Sequence, residues 1–255
     1  MPQRAPKIRL FVPGPLAAGA EVPLSEGQAH YLARVMRLGP GAEVAAFDGA
    51  SGEWRAEVAE LSRKSGALRP VARLRPQTRP RDLELLFAPV KKARTDFIVE
   101  KACELGVARV RPVLTDFTQA ERVRTERLRA HMVEAAEQCG YLGVPELAEP
   151  EPLAAVLDAW DPARRLIFCD ERRDAPPLAE ALRSAPPGPF AVLIGPEGGF
   201  SEGEAARLAA APFVLPAALG PRVLRADTAA VAALTLWQAI LGDWSAGETP
   251  AEEAG

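Results

Sequence analysis

Residues 190–204 read FAVLIGPEGGFSEGE, which is an apolar run of strand length, a glycine-rich loop and the start of a helix in direct succession. Ser201 and Glu204 have the spacing of a capping box, in which each side chain accepts a hydrogen bond from the backbone amide of the other residue. This order of elements is typical of α/β proteins, in which ligands bind at the carboxyl ends of the strands. Glu197 lies in the loop and would repel a phosphate group at short range. The stretch therefore predicts a ligand that lacks phosphate or carries positive charge.

Two familiar phosphate-binding motifs do not fit this loop. A Walker A loop requires Gly-Lys-Ser/Thr, whereas the sequence offers Lys64-Ser65 without the glycines. A dinucleotide fingerprint requires GxGxxG, whereas Gly195, Gly198 and Gly199 are spaced GxxGG. One alternative is that these glycines only form a tight turn between strand and helix.

A second loop of the same kind argues against a mere turn. It follows the apolar run at residues 212–216 and contains Gly220-Pro221. The last helix should begin shortly afterwards, at Asp227 or Thr228. Two successive strands would thus end in glycine-containing loops at one edge of a sheet.

The chain beyond residue 81 alternates between apolar runs of strand length and helical segments. The predicted strands are LELLFAP (83–89), ARVRPVL (108–114), RLIFCD (165–170), FAVLIG (190–195) and PFVLP (212–216). The predicted helices include TDFIVEKACELG (95–106), RLRAHMVEAAEQCG (127–140) and ADTAAVAALTLWQAIL (226–241). Such alternation predicts an α/β fold with a parallel sheet and helices on both of its faces.

The first part of the chain has a different pattern. Its β-type runs are KIRLFV (7–12), AEVAAFDG (42–49), GEWRAEVAEL (52–61) and GALRPVARL (66–74), and one helix is predicted in SEGQAHYLARVMRL (25–38). Residues 70–81 hold three prolines and four arginines without an apolar period, which indicates a linker. We therefore expect a small β-barrel over 1–73, a second domain over 74–255 with 74–81 as the linker, and a flexible tail over 246–255.

Composition excludes several classes of protein. The 255 residues are 48% hydrophobic, enough for a buried core, yet no run approaches a membrane span and the first residues do not resemble a signal peptide. We expect a soluble cytoplasmic protein without a membrane partner. The three cysteines, Cys103, Cys139 and Cys169, form no CxxC pair, and the two histidines are His30 and His131. We therefore expect no metal site and no disulfide framework.

Charge is distributed unevenly along the chain. Through Arg129 there are 23 Lys/Arg against 15 Asp/Glu, a balance of +8, and from Ala130 onward there are 8 against 19, a balance of −11. Arginine supplies 26 of the 31 basic residues, and guanidinium groups favour bidentate phosphate contacts and stacking on bases. A compositional bias of the source would explain the preference for arginine, but it should act on both halves. The asymmetry favours a nucleic-acid partner.

Five blocks of the sequence, in order, resemble one family. They are HYLARVMRLGPGAEVAAFDG (30–49), EKACELGVARVRPVLTDFTQ (100–119), AAEQCG (135–140), IGPEGGFSEGE (194–204) and LGPRVLRADTA (219–229). The sequence is similar over nearly its full length to the 16S rRNA uridine N3-methyltransferase (RsmE) family, which belongs to the SPOUT class of S-adenosylmethionine enzymes. Two departures from the family pattern are Asp227, where glutamate is common, and Gly140, Tyr141 and Leu142, where an arginine is common.

The resemblance implies a fold, a reaction and partners. The fold would be an N-terminal PUA-like β-barrel followed by a trefoil-knotted parallel-sheet (SPOUT) domain, assembled as a homodimer. The reaction would be methylation of N3 of a specific uridine in 16S rRNA, within the 30S subunit. The methyl donor S-adenosylmethionine would lie against residues 194–199 and 215–228, and it has no phosphate and more positive than negative groups, in agreement with the charge of the loop. The main alternative is an RNA-binding module whose knot domain is catalytically silent.

Candidate site residues follow from the resemblance. The expected donor-binding residues are Leu193, Ile194, Gly195, Pro196, Glu197, Gly199, Leu215, Leu219, Gly220, Val223, Leu224, Arg225 and Thr228, with the adenine near Leu215, Leu219 and Leu224. The expected catalytic residues are Arg225, which would steady the uracil anion, and Glu197, which would accept a proton. The alternatives are an ion pair for Arg225, capping of backbone amides by Glu197, and an N-cap role for Thr228.

The basic half of the chain should supply the RNA contacts. The candidates are Arg9, Arg34, Arg37, Lys91, Lys92, Arg94 and Lys101. The alternative for each is a solvated surface charge. Lys101 has a further alternative, an ion pair with Asp96, Glu100 or Glu104.

Overall fold

The computed structural model describes residues 6–119, 123–169 and 175–244. The chain divides into two compact units. The first contains the chain up to Arg79 together with Ala136–Val144, and the second contains Pro80–Ala135 and the chain from Pro145 onward.

The first unit is built on a five-stranded sheet. Its elements are β1 (Arg9–Phe11), β2 (Val22–Pro23), α1 (Glu26–His30), which continues as a π-helical turn over Tyr31–Val35, β3 (Glu43–Phe47), β4 (Glu53–Leu61) and β5 (Gly66–Arg75). The strand order is β1-β3-β4-β5-β2, in which β1 and β3 are parallel and the other pairs are antiparallel. The capping box predicted at the start of α1 is present, because Ser25 and Gln28 exchange hydrogen bonds. Ala29 and Leu32 then join the core between the strands.

One prediction for this unit is wrong in part. The sequence favours a linker over 70–81, yet β5 continues to Arg75, and only residues 76–81 have no helix or strand. Its side chains alternate between buried and exposed positions from Leu68 onward, and the exposed ones include Arg69 and Arg73. An alternating strand with outward arginines has little apolar character, which is why composition alone suggested a linker.

A buried carboxylate organises the middle of the first unit. Glu53 accepts hydrogen bonds from Nε of Arg9 at 2.6 Å and from Nε of Arg75 at 2.8 Å. Burial raises the pKa of Glu53, but the hydrogen bonds and charges of Arg75 and Arg9 outweigh it and hold that pKa below its ordinary value. Arg9 also lies 4.4 Å above the ring of Phe47.

The second unit contains a seven-stranded sheet whose pairs are all parallel. Its strands are β6 (Leu83–Phe87), β7 (Arg109–Leu114), β8 (Glu146–Leu147), β9 (Glu151–Pro152), β10 (Arg165–Cys169), β11 (Phe190–Ile194) and β12 (Val214–Ala217). Its helices are α2 (Lys92–Glu104), α3 (Thr125–Cys139), α4 (Leu153–Asp158), α5 (Leu178–Ser184), α6 (Glu202–Ala210) and α7 (Ala226–Ile240). The strand order is β12-β10-β11-β6-β7-β8, and β9 pairs with β7. The predicted α/β class with a parallel sheet is confirmed.

The central strands of this sheet are buried on both faces and are apolar except for Glu84 of β6, whose carboxylate lies 3.6 Å from Arg109 and from Arg164. All five residues of β6 and all five of β11 are buried, as expected for strands covered by helices on each side. Trp237 of α7 meets Phe190 of β11 edge to face, with ring centroids 6.1 Å apart. Because the strands are parallel, their carboxyl ends meet at one edge of the sheet, and the loops that follow them can form a site there.

Short elements were missed in the sequence. Helices α4 and α5 span only six and seven residues, and the residue before each is a proline, Pro152 or Pro177. Pattern recognition needs longer segments. Among the described residues, no helix is long and apolar enough to cross a membrane. The predicted tail, residues 246–255, lies outside the described residues.

Candidate functional site

A cavity of about 570 Å³ lies at the carboxyl ends of β10, β11 and β12. It is lined by Phe168 and Cys169, by residues 194–197, 199–200, 202 and 205 around the first glycine loop, and by residues 219–220, 222–226 and 229 around the second. We call it the loop cavity. Both glycine loops therefore contribute to one site, as their positions in the sequence predicted.

The first glycine loop is held by short local interactions. The amide of Gly199, which has a φ of 69°, donates to the carbonyl of Pro196 at 2.9 Å. A Cβ on Gly195 would lie 2.6 Å from the ring of Phe200, so a larger residue would collide with it. The capping box of Ser201 and Glu204 is present at the start of α6. Gly195 and Gly199 thus serve the packing and the turn of the loop itself, and both also line the loop cavity.

The second loop is held by backbone hydrogen bonds at its beginning, and its last residue is exposed. The amide of Ala218 donates to Pro176 at 2.9 Å, and the amide of Leu178 donates to Ala218 at 3.0 Å. Its last residue, Arg225, is the N-cap of α7. Arg225 is exposed and lines the loop cavity, and within the described residues it has no ion pair. The expected ion-pair alternative is therefore not seen there.

The start of α7 differs from its prediction. The helix begins at Ala226, so Thr228 lies within its first turn and is not the N-cap. The side chain of Asp227 instead accepts a hydrogen bond from the amide of Thr228 at 2.8 Å. Neither residue lines the loop cavity.

Arg94 connects α2 to the first glycine loop and to the first turn of α7. Arg94 donates to a carboxylate oxygen of Glu197, and its Nε lies 3.7 Å from Asp227. The guanidinium offsets the negative charge that made Glu197 unusual in a glycine loop. Sequence spacing gave no sign of this contact, because the partners lie on distant segments.

Most of the predicted donor-binding residues come together. Ten of them line the loop cavity: Ile194, Gly195, Pro196, Glu197, Gly199, Leu219, Gly220, Val223, Leu224 and Arg225. Leu193, Leu215 and Thr228 do not. Leu193 is fully buried and packs in the core between sheet and helices, and Leu215 pairs with Ile167 in the sheet.

Several lining residues were not anticipated. Phe168 and Cys169 end β10, and Glu202 and Ala205 belong to α6. The rule that ligands bind at carboxyl ends of parallel strands could have suggested the end of β10. Burial raises the pKa of the Cys169 thiol to about 12, although part of the residue reaches solvent. The thiol is therefore neutral at physiological pH and acts as a small apolar surface.

A second cavity, of about 680 Å³, shares a wall with the first. Its lining contains four basic residues and one acid, so we call it the basic cavity. It is lined by Pro89, Val90, Lys91, Lys92, Thr95, Phe117, Gln119, Val123, Arg124, Arg127, Pro196, Glu197 and Gly198. Pro196 and Glu197 line both cavities.

The predicted RNA-contacting residues fall into two groups. Arg9 is mostly buried, and its donors bind Glu53 and the backbone carbonyls of Ala136, Glu137 and Tyr141, so it has a structural role. Arg94 holds Glu197, and Lys101 pairs with Glu104 at 2.6 Å, which was one of the alternatives expected for it. The exposed residues are Arg34, Arg37, Lys91 and Lys92. Lys91 and Lys92 belong to the basic cavity.

Within the part of the chain that the structure describes, no group of three or more His, Cys, Asp or Glu side chains could hold a metal ion. None of the three cysteines forms a disulfide.

Comparison with known families places the chain in a class. The family model of the RNA methyltransferase domain matches residues 77–238, and that of the RNA methyltransferase PUA domain matches residues 24–71. The protein belongs to the RNA methyltransferase family, and the N-terminal unit is PUA-like.

Curated relatives of this chain share one name. Ribosomal RNA small subunit methyltransferase E of Synechocystis sp. is 31% identical, over 91% of this chain and 78% of the relative. The protein of the same name from Rickettsia conorii is 26% identical, over 89% of this chain and 93% of the relative. The resemblance seen in the sequence is thus confirmed.

Solved structures agree with this placement. A methyltransferase from Legionella pneumophila, determined with the bound cofactor SAM, has a TM-score of 0.84 and 30% identity and covers 94% of this chain and 99% of its own. Ribosomal RNA small subunit methyltransferase E from Neisseria gonorrhoeae, bound to S-adenosyl methionine, has a TM-score of 0.83 and 26% identity and covers 93% and 99%.

Proposed function

We propose that this protein transfers the methyl group of S-adenosylmethionine to N3 of a specific uridine in 16S rRNA of the small ribosomal subunit. The observation that supports the proposal most strongly is the loop cavity, built from both glycine loops at the carboxyl edge of the sheet. The bound donor in the Legionella and Neisseria relatives, which match this chain over nearly its whole length, supports the choice of cofactor.

The lining of the loop cavity fits the donor. Glu197 and Glu202 offer two carboxylates, and Arg222 offers a guanidinium group, while Arg225 lines the same cavity and is kept for the uracil. S-Adenosylmethionine carries a sulfonium, an ammonium and a carboxylate, so such a mixed lining can match its charges, and no triphosphate-binding lysine is needed. The neutral Cys169 thiol adds apolar surface. Leu219 and Leu224 would hold the adenine, and Leu215, which lies off the cavity, is left out of this group.

The donor supplies an electrophilic methyl group, and the remaining tasks fall to side chains of this protein. Methylation forms an N3–C bond while the S–CH3 bond breaks, and the N3 proton of the uracil must leave. Arg225 would stabilise the negative charge that develops on the uracil oxygens as that proton leaves. Glu197, on the wall shared by the two cavities, would accept the proton. Arg94 orients Glu197 for this task through its hydrogen bond.

RNA binding would use exposed cations of both units. Lys91 and Lys92 in the second unit and Arg34 and Arg37 in the first are exposed and can meet phosphates. Arg9, Arg94 and Lys101 are committed to contacts within the protein and are left out of this role. The partner would be 16S rRNA within the 30S subunit. The protein would act as a homodimer in the cytoplasm. Its PUA-like domain would span residues 1–73, and its methyltransferase domain would span 74–255.

Reverse transcription tests the reaction directly, because an N3-methyl group blocks the Watson–Crick edge and stops the polymerase. Small-subunit particles from cells lacking the protein would be incubated with purified enzyme and S-adenosylmethionine. One new stop at a uridine is expected, and none when the donor is omitted. A donor-binding protein that produces no stop would show that the uridine N3 assignment is wrong.

A thermal-shift measurement separates this function from a silent RNA-binding module. Stabilisation by S-adenosylmethionine and S-adenosylhomocysteine, but not by ATP or NAD, is expected. A protein that binds RNA and responds to none of the four ligands would support the binding-module alternative.

A further inference from the structure

The loop cavity and the basic cavity share a wall, so a molecule bound in one would lie close to a molecule bound in the other. Pro196 and Glu197 line both the loop cavity and the basic cavity. A molecule in the basic cavity therefore contacts the same two-residue segment that borders the proposed donor site. The volume of the basic cavity, about 680 Å³, lies in the usual range for a site that encloses a small organic group.

An exposed aromatic ring stands at this wall. Phe117 is 47% exposed and lines the basic cavity, and its Cβ would lie 3.3 Å from a Cβ built on Gly198. Exposure of one ring is ordinary by itself, but this ring lines a cavity together with basic side chains. Aromatic rings next to basic residues are the usual platform for unpaired RNA bases.

The turn that carries Phe117 is anchored on both sides. The amide of Asp116 donates to Glu204 at 3.0 Å, and the hydroxyl of Ser201 donates to the Asp116 carboxylate at 2.5 Å. The amide of Thr115 donates to the hydroxyl of Thr118 at 2.8 Å. The ring is therefore presented by an ordered backbone, which lowers the entropy lost when a base stacks on it.

Charge around the ring favours an anionic chain. Lys91, Lys92 and Arg124 are exposed, and among the described residues none of them has a carboxylate partner. The other two charged lining residues are already paired: Glu197 with Arg94, and Arg127 with Asp96 at 2.9 Å. Three cations that have no carboxylate partner among the described residues thus line the same cavity as the ring.

We propose that the basic cavity receives the target uridine, flipped out of the RNA, with Phe117 stacked on its base and Lys91, Lys92 and Arg124 on the flanking phosphates. The inference rests on the proposed function, because it gives the base a place on the wall shared with the donor site. Base flipping into a pocket is how enzymes reach ring atoms that pairing would hide.

Substitution of Phe117 tests the stacking contact. Phe117→Ala should raise the KM for small-subunit particles by about ten-fold, while the dissociation constant for S-adenosylmethionine and the thermal stability stay near wild type. Phe117→Tyr, which keeps the ring, should restore KM to within about two-fold of wild type. Trp244→Ala is the matched control, since Trp244 is 54% exposed and lines neither cavity.

The outcomes separate the two proposals. If wild-type enzyme binds the donor but methylates no uridine in the particles, the proposed function fails. If wild type is active, three results would overturn the stacking inference. The first is an unchanged KM for Phe117→Ala, and the second is a loss of donor affinity in Phe117→Ala as large as its rise in KM. The third is a KM for Phe117→Tyr as high as that of Phe117→Ala. An equal rise in KM for Trp244→Ala would also overturn it.

The phosphate contacts have an independent readout. Lys91→Ala should weaken particle binding about equally for all sequences and lower the slope of log affinity against log salt concentration by roughly one. Arg183→Ala, a change at an exposed cation of α5 away from both cavities, should leave the slope unchanged. Equal slopes for wild type and Lys91→Ala would remove Lys91 from the site.

Discussion

Arg94 in α2 holds the carboxylate of Glu197 in the first glycine loop, although 103 positions separate the two residues in the chain. Its Nε also lies 3.7 Å from Asp227 in the first turn of α7. One side chain therefore connects the helix after β6 with both segments that frame the loop cavity. The first glycine loop and the first turn of α7 are thus joined through a residue that lies in neither of them.

Removal of Arg94 should loosen the donor site more than the fold. In Arg94→Ala we expect the dissociation constant for S-adenosylmethionine to rise about five-fold. The free energy of unfolding should fall by at most about 1 kcal/mol, because the ion pair is partly exposed. Titration calorimetry and denaturant unfolding measure the two quantities. Arg207→Ala removes a comparable surface pair, with Asp158, and should leave donor binding unchanged. Unaltered affinity in Arg94→Ala would show that the ion pair does not order the loop.

Arg225 should matter to turnover and hardly to donor binding. Because its guanidinium would stabilise charge that develops only during the reaction, Arg225→Ala should lower kcat by about 100-fold with a donor dissociation constant near wild type. Single-turnover methylation and calorimetry provide the comparison. Arg222→Ala is the matched variant, since Arg222 lies on the same loop and lines the same cavity. An equal loss of donor affinity in Arg225→Ala would assign Arg225 to cofactor binding.

The Glu53 cluster should make stability depend on pH in the acidic range. The folded-state pKa of Glu53 is lowered, so its contribution is fully present above the unfolded value, near 4.5, and is lost as pH falls through the folded value. Glu53→Gln should cost about 3 kcal/mol at neutral pH, because two arginines lose their buried counter-charge.

Urea unfolding between pH 3 and 7 checks this expectation, and the stability of Glu53→Gln should vary less over that range. Some variation should remain, since burial of Asp48 is outweighed by hydrogen bonds from Ser51, Ala50 and Leu16, and its pKa is also lowered. Parallel curves for wild type and variant would contradict the assignment of the effect to Glu53.

Cys169 should resist alkylation although it borders the loop cavity. With a pKa of about 12, its thiolate fraction at pH 8 is very small, so iodoacetamide should modify it at least about a hundred-fold more slowly than the exposed Cys139. Peptide mapping by mass spectrometry gives both rates. Comparable rates would mean that the thiol is ionised in the folded protein.

Local patterns in the sequence predicted local structure well. The capping boxes at Ser25 and Ser201 depend on residues three positions apart, and both are present. The long apolar runs became the buried strands of the parallel sheet, because burial on two faces requires continuous apolar residues. The convergence of the two glycine loops also followed from the rule on parallel strands.

Contacts between distant segments were beyond the sequence patterns. The pairing of Arg94 with Glu197 joins residues 103 positions apart, and only the folded chain brings them together. The role of Arg9 as a partner of Glu53 could not be told from that of an RNA-binding arginine, since composition treats all arginines alike. Thr228 was wrongly considered as the N-cap of α7, because the actual N-cap, Arg225, makes no side-chain capping hydrogen bond.

The cap of α6 has a thermodynamic consequence. Ser201 and Glu204 fix the end of the first glycine loop, and the same two side chains anchor Asp116 in the turn that carries Phe117. A molecule that orders the loop would also order the turn, so the binding free energies of cofactor and substrate would be coupled. Linkage requires the coupling to be reciprocal: RNA would tighten cofactor binding by the same factor by which cofactor tightens RNA binding.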